Sequence, residues 1–495
     1  MKKYLVGIDI GTSGTKSVLF DLDGSTVASA TREYPMSQPK NGYAEQDPAD
    51  WWRAVRETLR ELARECDGEI VGIGLSGQMH SVVLLDESFE VLRPSILWCD
   101  QRTAGECELM ERIVGREELV RITGNPAMTG FTAAKLLWVK NNEPEIYSRV
   151  KHILLCKDYI RYKLTGELVT DAADGSGMQL LDLKTRKFSP ELCEKLGIDM
   201  RLLPRVIESH ELSGRITAEA SAITGIPEGV AVAGGGGDNA CAALGVGVYE
   251  SGRAFTTIGT SGVVFAPTDE LAIDPAGRIH TLCSAVPGGW HVMGVALSSG
   301  LSLNWFRSSL APELSYKEID ELAMDIQVGA EKLIYLPYLM GERTPLLDPN
   351  ARGVFFGLSA MHTRAHLARA VLEGISYSLN DCVELIRDMG IELSSMTLCG
   401  GGAKSPLWQQ MLSDIYGIPI GIPSSSEGAA LGAAILGGCA AGVYPSVGEG
   451  CERVASTRGR VTPNAERGRE YQKYYEIYKS IYPAVKRQFK ELSEL

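Results

Sequence analysis

Asp238 stands directly after four consecutive glycines, residues 234–237, and just before Asn239, where residues 239–245 read as a short helix. A glycine run lets another group come close to that carboxylate. At a helix start an aspartate is either an ordinary cap for free amides or, kept ionised by the helix dipole, a base able to take a proton from a hydroxyl. A second carboxylate, Asp9, ends an apolar strand beside Gly11, Thr12, Ser13 and Gly14. It reads as a turn cap or, beside a loop of amides and hydroxyls, as a holder of Mg2+ through water, because Mg2+ keeps several waters and takes few carboxylates. That loop has a twin: Ile10-Gly11-Thr12-Ser13-Gly14 returns half a chain length later as Ile258-Gly259-Thr260-Ser261-Gly262. One copy is as readily a hairpin turn as an anion cradle, but two copies lining one cleft can grip a single polyphosphate.

Other chemistries are excluded by what surrounds their residues. No G-x-x-x-x-G-K-[ST] occurs, which removes a P-loop. Gly72, Gly74 and Gly77 spell G-x-G-x-x-G after a strand, yet residues 81–85 read as strand where a dinucleotide site needs a helix. His362 and His366 lack the glutamate of a metal-binding H-E-x-x-H and read as helix-start residues. With 49 basic and 62 acidic residues the net charge is -13, and no basic run offsets it, so neither nucleic acid nor an anionic membrane is an expected partner. No apolar stretch reaches the roughly 18 residues of a membrane span, and Asp9 interrupts the N-terminal one; a cytoplasmic location is expected. Eleven cysteines without a C-x-x-C pair read as free thiols.

The elements that must position these residues are legible from period and punctuation. Residues 4–10, 17–20 and 26–30 form an antiparallel meander, with Asp23-Gly24 turning the second hairpin. Asp47-Pro48 opens an amphipathic helix over 49–65, and 70–75 is a buried strand leading to Gly77-Gln78-Met79-His80. In the second half come a helix over 366–387, a strand over 396–399 running into Gly400-Gly401-Gly402, and a helix capped by Ser405 and Pro406. A small-residue helix over 429–441 follows, then a charged helix over 465–492 with a stripe of tyrosines. The repeated loop implies two α/β lobes, residues 1–245 and 246–495. The 54 glycines, well above the usual share of about 7%, are expected in specific turns.

Together, Gly7 through Ser13, Gly234 through Asn239, Gly259-Thr260-Ser261 and Gly400 through Ala403 resemble the FGGY carbohydrate kinases. Two longer stretches are similar to that family's signatures: Gly130-Phe131-Thr132 through Lys135, Trp138 and Asn142, and Gly353 through Gly357-Leu358, His366-Leu367 and Glu373. The resemblance implies an α/β fold of two actin-like, ribonuclease H-like lobes of the sugar kinase/Hsp70/actin superfamily, with an interlobe cleft. Gly74 through His80, Ile96 through Arg102 and Tyr338 through Pro345 resemble the substrate loops of members that phosphorylate D-xylulose, although Cys99 and Leu346 replace an asparagine and a histidine frequent there. By resemblance, Met79, His80, Asp238 and Asn239 line the sugar site and Asp238 is the catalytic base. Gly11, Thr12, Ser13, Gly259, Thr260 and Ser261 hold the ATP phosphates, while Gly300, Gly401, Gly402 and Ala403 border the adenosine. Asp9 serves the catalysis through Mg2+. The implied reaction turns D-xylulose and ATP into D-xylulose 5-phosphate and ADP, and a homodimer stays open. Ribulose, gluconate or glycerol are the alternative acceptors, and an actin- or Hsp70-like ATPase without sugar chemistry is the more distant alternative.

Overall fold

The N-terminal meander forms in the computed structural model, which describes residues 1–495. Strands Lys3–Ile10, Gly14–Asp21 and Thr26–Glu33 pair antiparallel in chain order. Lys3–Ile10 also pairs in parallel with Glu69–Gly77, and Ala231–Ala233 and Leu212–Arg215 extend the sheet beyond it. Within the four-glycine run, the short strand Gly236–Gly237 pairs with Ser76 and Gly77. The run that delivers Asp238 is thus hydrogen-bonded to the strand end that delivers Met79 and His80. Helix Pro48–Glu65 starts at Asp47, whose side chain accepts the Ala49 amide, and buries Trp51, Val55, Leu59 and Leu62 on this sheet.

The second sheet repeats the plan. Gly252–Ile258 and Gly262–Thr268 pair antiparallel around the second glycine loop, and Gly252–Ile258 pairs in parallel with Leu393–Gly400. Trp290–Ala296 and His280–Cys283 extend one side, Ile420–Pro423 and Thr457–Val461 the other. Helices Arg364–Asp388, Pro406–Tyr416 and Ala465–Ser493 contribute to its core. Of the tyrosine stripe, Tyr471, Tyr475, Tyr478 and Tyr482 are buried and Tyr474 is partly so. No helix is long and apolar enough to cross a membrane, and all eleven cysteines are free.

Helices Gly428–Ala440 and Asp238–Gly245 pack together between the sheets, and here the expectation that the glycine excess sits in turns is corrected. A Cβ on Gly7 would lie 1.8 Å from the carbonyl oxygen of Ala430, one on Gly74 1.7 Å from that of Ala433, and one on Gly72 2.4 Å from that of Gly437. Gly432 would meet Cys241 O at 1.8 Å and Gly245 would meet Gly428 O at 2.0 Å. The helix backbone rests directly on the strand backbone, which explains Gly72 and Gly74 without any dinucleotide. A helix from the second half of the chain therefore shares a core with the first sheet, through Leu5, Val18, Phe20, Ala430 and Ala434.

Candidate active site

Asp238 is the first residue of helix Asp238–Gly245, and Gly237 occupies the cap position. The capping reading of Asp238 is corrected accordingly: its Oδ1 accepts the backbone N–H of Asn239 at 2.7 Å and the Asn239 side-chain amide at 2.9 Å. Burial, reinforced by the charge of Asp9, raises its pKa to about 6 against the pull of those two hydrogen bonds. Burial thus outweighs the helix start in setting this pKa, although a value of about 6 still leaves the carboxylate mostly ionised at neutral pH, as expected. Two pKa units correspond to about 3 kcal/mol, and a short helix contributes only about 0.3–1 kcal/mol at its end, so burial wins. Buried Arg161, paired with Asp158 at 2.7 Å, donates to the carbonyl of Gly234 and fixes the start of the glycine run.

Asp9 faces Ser76 across the parallel pair, and its Oδ1 accepts the Ser76 hydroxyl at 2.9 Å. Burial raises its pKa as well. Asp9, Asp238 and Asn239 line one wall of a cavity of about 650 Å³, and Phe255, Thr257, Gly401 and Ala403 from the second sheet line the other. No group of three or more His, Cys, Asp or Glu gathers to hold a metal. A pair of neighbouring half-buried carboxylates on a cavity with room for several waters, one of them with a single hydrogen-bond donor, fits a hydrated Mg2+ and not a protein cage. Gly300, Gly402, Met79, His80 and the loops Gly11-Thr12-Ser13 and Gly259-Thr260-Ser261 are not in this lining. Gly402 packs on Ile258, and a Cβ on Gly300 would lie 2.2 Å from the carbonyl oxygen of Gly259.

The two glycine loops share a sequence but close one residue apart: Ile10 pairs with Thr15, and Ile258 with Gly262. Gly11 N–H closes its turn on Gly14 O and Gly259 N–H closes its turn on Ser261 O, each at 3.0 Å. The amides of Thr12, Ser13, Thr260 and Ser261 have no partner within the protein. Carbonyls of Gly259 and Thr260 in turn accept the amides of Gly300 and Leu301, anchoring the second loop on the start of helix Ser299–Leu310. Trp98 donates its indole N–H to Thr12 Oγ1 at 2.9 Å. Four free amides on two loops are what a polyphosphate requires.

Met79 packs against Gly237, where a Cβ would come within 2.7 Å of its Cγ, so it adjoins Asp238. His80 is buried at a φ of 65°, a left-handed conformation costly for a non-glycine residue. It is held there by two donors, an acceptor and a ring: Lys135 Nζ and Thr132 Oγ1 donate to its carbonyl at 2.9 and 3.1 Å, the Gly177 carbonyl lies 3.0 Å from Nδ1, and Phe131 lies 4.2 Å from it, centroid to centroid. Burial pushes the imidazole well below its usual pKa, so it is neutral. With Nδ1 donating to Gly177, Nε2 is an acceptor for a hydroxyl. His362 and His366 each accept a backbone amide through Nδ1 and close a turn, and His362 Nε2 also lies 3.0 Å from the Glu331 carbonyl.

Several residues here were not singled out from the sequence. Lys16 at the foot of the first loop pairs with Glu427 at 2.6 Å, a partner far along the chain that no local signal marks. Ser424, Ser425 and Ser426 also line the cavity, and a serine run before a helix was a visible cue.

Residues 4–245 match the N-terminal domain, and residues 254–441 the C-terminal domain, of the FGGY family of carbohydrate kinases. The chain belongs to this family. It is accordingly a carbohydrate kinase, with ATP as the phosphoryl donor. It is similar to the xylulose kinase of Bacillus subtilis, at 38% identity over 98% of this chain and 97% of the relative, and to that of Escherichia coli, at 39% over 96% and 98%. Among solved structures it is similar to a xyloylose kinase from Brucella ovis, with a TM-score of 0.92 at 37% identity over 98% of this chain and 100% of that one. A gluconate kinase from Lactobacillus acidophilus superposes with a TM-score of 0.95 at 32% identity over 99% and 100%.

Proposed function

We propose that the protein phosphorylates D-xylulose at its terminal hydroxyl, giving D-xylulose 5-phosphate and ADP, with Asp238 as general base. The observation that carries this reading is the position of Asp238: half-buried beside Met79, under the influence of Asp9, on a cavity that residues of the second half of the chain also line. The similarity to xylulose kinases supports the choice of sugar.

Phosphoryl transfer asks for alignment and charge neutralisation more than covalent help. Amides of Thr12, Ser13, Thr260 and Ser261, with the backbone freedom of Gly11 and Gly259, hold the phosphates. Gly401 and Ala403 shape the adenosine end, with Gly402 packed on Ile258 and Gly300 on Gly259 at its border. Mg2+, held by Asp9, supplies charge neutralisation at the phosphates. Asp238 orients the sugar hydroxyl and takes its proton; with a pKa of about 6 it is mostly ionised at neutral pH and strong enough as a base for a late proton transfer. Met79, neutral His80 and Asn239 hold the rest of the sugar. The work divides near residue 245, with the sugar and the first phosphate loop on residues 1–245 and the second loop and adenosine on 246–495. Closure of the two halves excludes water that would otherwise hydrolyse ATP. The setting is the cytoplasm, as a homodimer in the simplest assembly.

A panel of D-xylulose, D-ribulose, gluconate and glycerol, with ATP and mass detection of the product, tests the reading. D-Xylulose 5-phosphate is expected as the product of highest kcat/KM. ADP without any sugar phosphate would overturn it.

A further inference from the structure

A trans peptide unit is a flat plate whose carbonyl and N–H point in opposite directions. Each free amide of the two glycine loops therefore takes its direction from the carbonyl on the same plate. The Thr12 N–H shares its plate with the Gly11 carbonyl and the Ser13 N–H with the Thr12 carbonyl; Thr260 and Ser261 stand likewise to Gly259 and Thr260. In the second loop those two carbonyls accept the amides of Gly300 and Leu301 at 2.8 and 3.0 Å, so the start of a helix holds both plates. In the first loop the corresponding carbonyls accept side chains instead. The Gly11 carbonyl takes the Tyr34 hydroxyl and the Thr12 carbonyl takes the Gln46 side-chain amide, each at 2.6 Å.

Both side chains are themselves fixed. Tyr34 is buried, and burial raises its pKa, so the hydroxyl stays protonated and donates. Its main-chain amide also donates to the Ser13 carbonyl at 3.3 Å, so one residue grips the loop at two points. Gln46 is buried too, and its Oε1 accepts the Trp51 indole N–H at 3.0 Å and the Gln78 side-chain amide at 2.9 Å. An indole only donates, which sets the Gln46 amide with its nitrogen toward the loop. Both donors point at the loop itself, so the two residues act on a ligand only through it.

We propose that Tyr34 and Gln46 are positioning residues of the first phosphate loop: by holding the carbonyls of Gly11 and Thr12 inward, they aim the amides of Thr12 and Ser13 at the phosphates of ATP. The inference rests on the sugar-kinase reading above. An amide aimed in advance needs no reorganisation when the anion arrives, whereas a plate free to turn can present its carbonyl, which repels phosphate. The repeated motif thus reaches the same end by two constructions, and the side-chain construction is the one that a point substitution can remove.

The test uses the full-length protein with Tyr34→Phe, which removes only the hydroxyl, and Gln46→Glu, which keeps an acceptor for Trp51 and Gln78 but sets an oxygen against the Thr12 carbonyl. The KM for ATP is expected to rise about 5- to 50-fold in each, the loss of one aimed hydrogen bond to a charged group. The KM for D-xylulose, inhibition by adenosine, which carries no phosphate, and the melting temperature of Tyr34→Phe should stay at the parent values. An ATP KM within about twofold of the parent in either folded variant would overturn the proposal. So would a rise shared equally by ATP, adenosine and D-xylulose, the mark of a general loosening. If Gln46→Glu does not fold, Tyr34→Phe alone decides. Failure of the parent protein to phosphorylate any ketose would instead overturn the functional reading, and is seen before any variant is made.

Discussion

A methyl group on Gly74, at the seam between the first sheet and helix Gly428–Ala440, would lie 1.7 Å from a carbonyl oxygen, whereas one on Gly259, in the second phosphate loop, would find its nearest neighbour at 3.7 Å. Both regions are glycine-rich, and composition does not distinguish them. At the seam glycine is demanded by protein atoms already in place, and its freedom of φ is irrelevant. At Gly259 the space is open and the neighbouring amides are free, so what this glycine leaves room for is a ligand, whereas Gly14 and Gly262, at the ends of the same motif, are held by protein atoms at 2.7 and 2.3 Å. A glycine motif therefore signals a binding site only where the space beside it is empty.

That contrast can be broken by experiment. Gly74→Ala should show the largest effect, a loss of stability of about 3 kcal/mol or more, because backbone must move to admit the methyl. Denaturant unfolding checks it, and a soluble variant of parental stability would dissolve the comparison. Gly259→Ala should leave the unfolding midpoint unchanged while lowering kcat/KM for ATP about tenfold, through a methyl placed where phosphate binds. A Gly259→Ala variant with parental ATP kinetics would mean that the loop is a turn and nothing more.

The pH profile sharpens the same contrast through charge. Asp238 must be ionised to accept a proton, and its pKa is raised to about 6, so kcat/KM for the sugar should fall on the acid side with a midpoint near that value. A limb near the ordinary carboxylate range would show that burial does not govern this group. The smallest effect belongs to Lys16→Met. The Lys16–Glu427 pair at 2.6 Å ties the first loop to the seam helix, but Lys16 is more than a third exposed, so less than about 1 kcal/mol of stability should be lost.

What was legible in the sequence follows the range of the interactions involved. The meander, the helix start at Asp47-Pro48 and the helix capped by Ser405 rest on contacts between near neighbours in the chain, and they form as read. The repeated glycine loop was legible because duplication repeats residues in order. Why residues 7, 72 and 74 must be glycine was not legible, because the atoms that require it belong to a helix from the far end of the chain. The basicity of Asp238 was misjudged for a related reason: the local cue, a helix start, is weaker than burial, and burial is a property of the assembled core.

The central claim is that Asp238 takes the proton of the sugar hydroxyl in a pocket shared by the two halves. Steady-state turnover and sugar binding by Asp238→Asn, measured on the same preparation, test it most directly. Turnover should fall about 10²- to 10⁴-fold while the sugar still binds and the protein melts as the parent does. Turnover near the parent value would contradict the account.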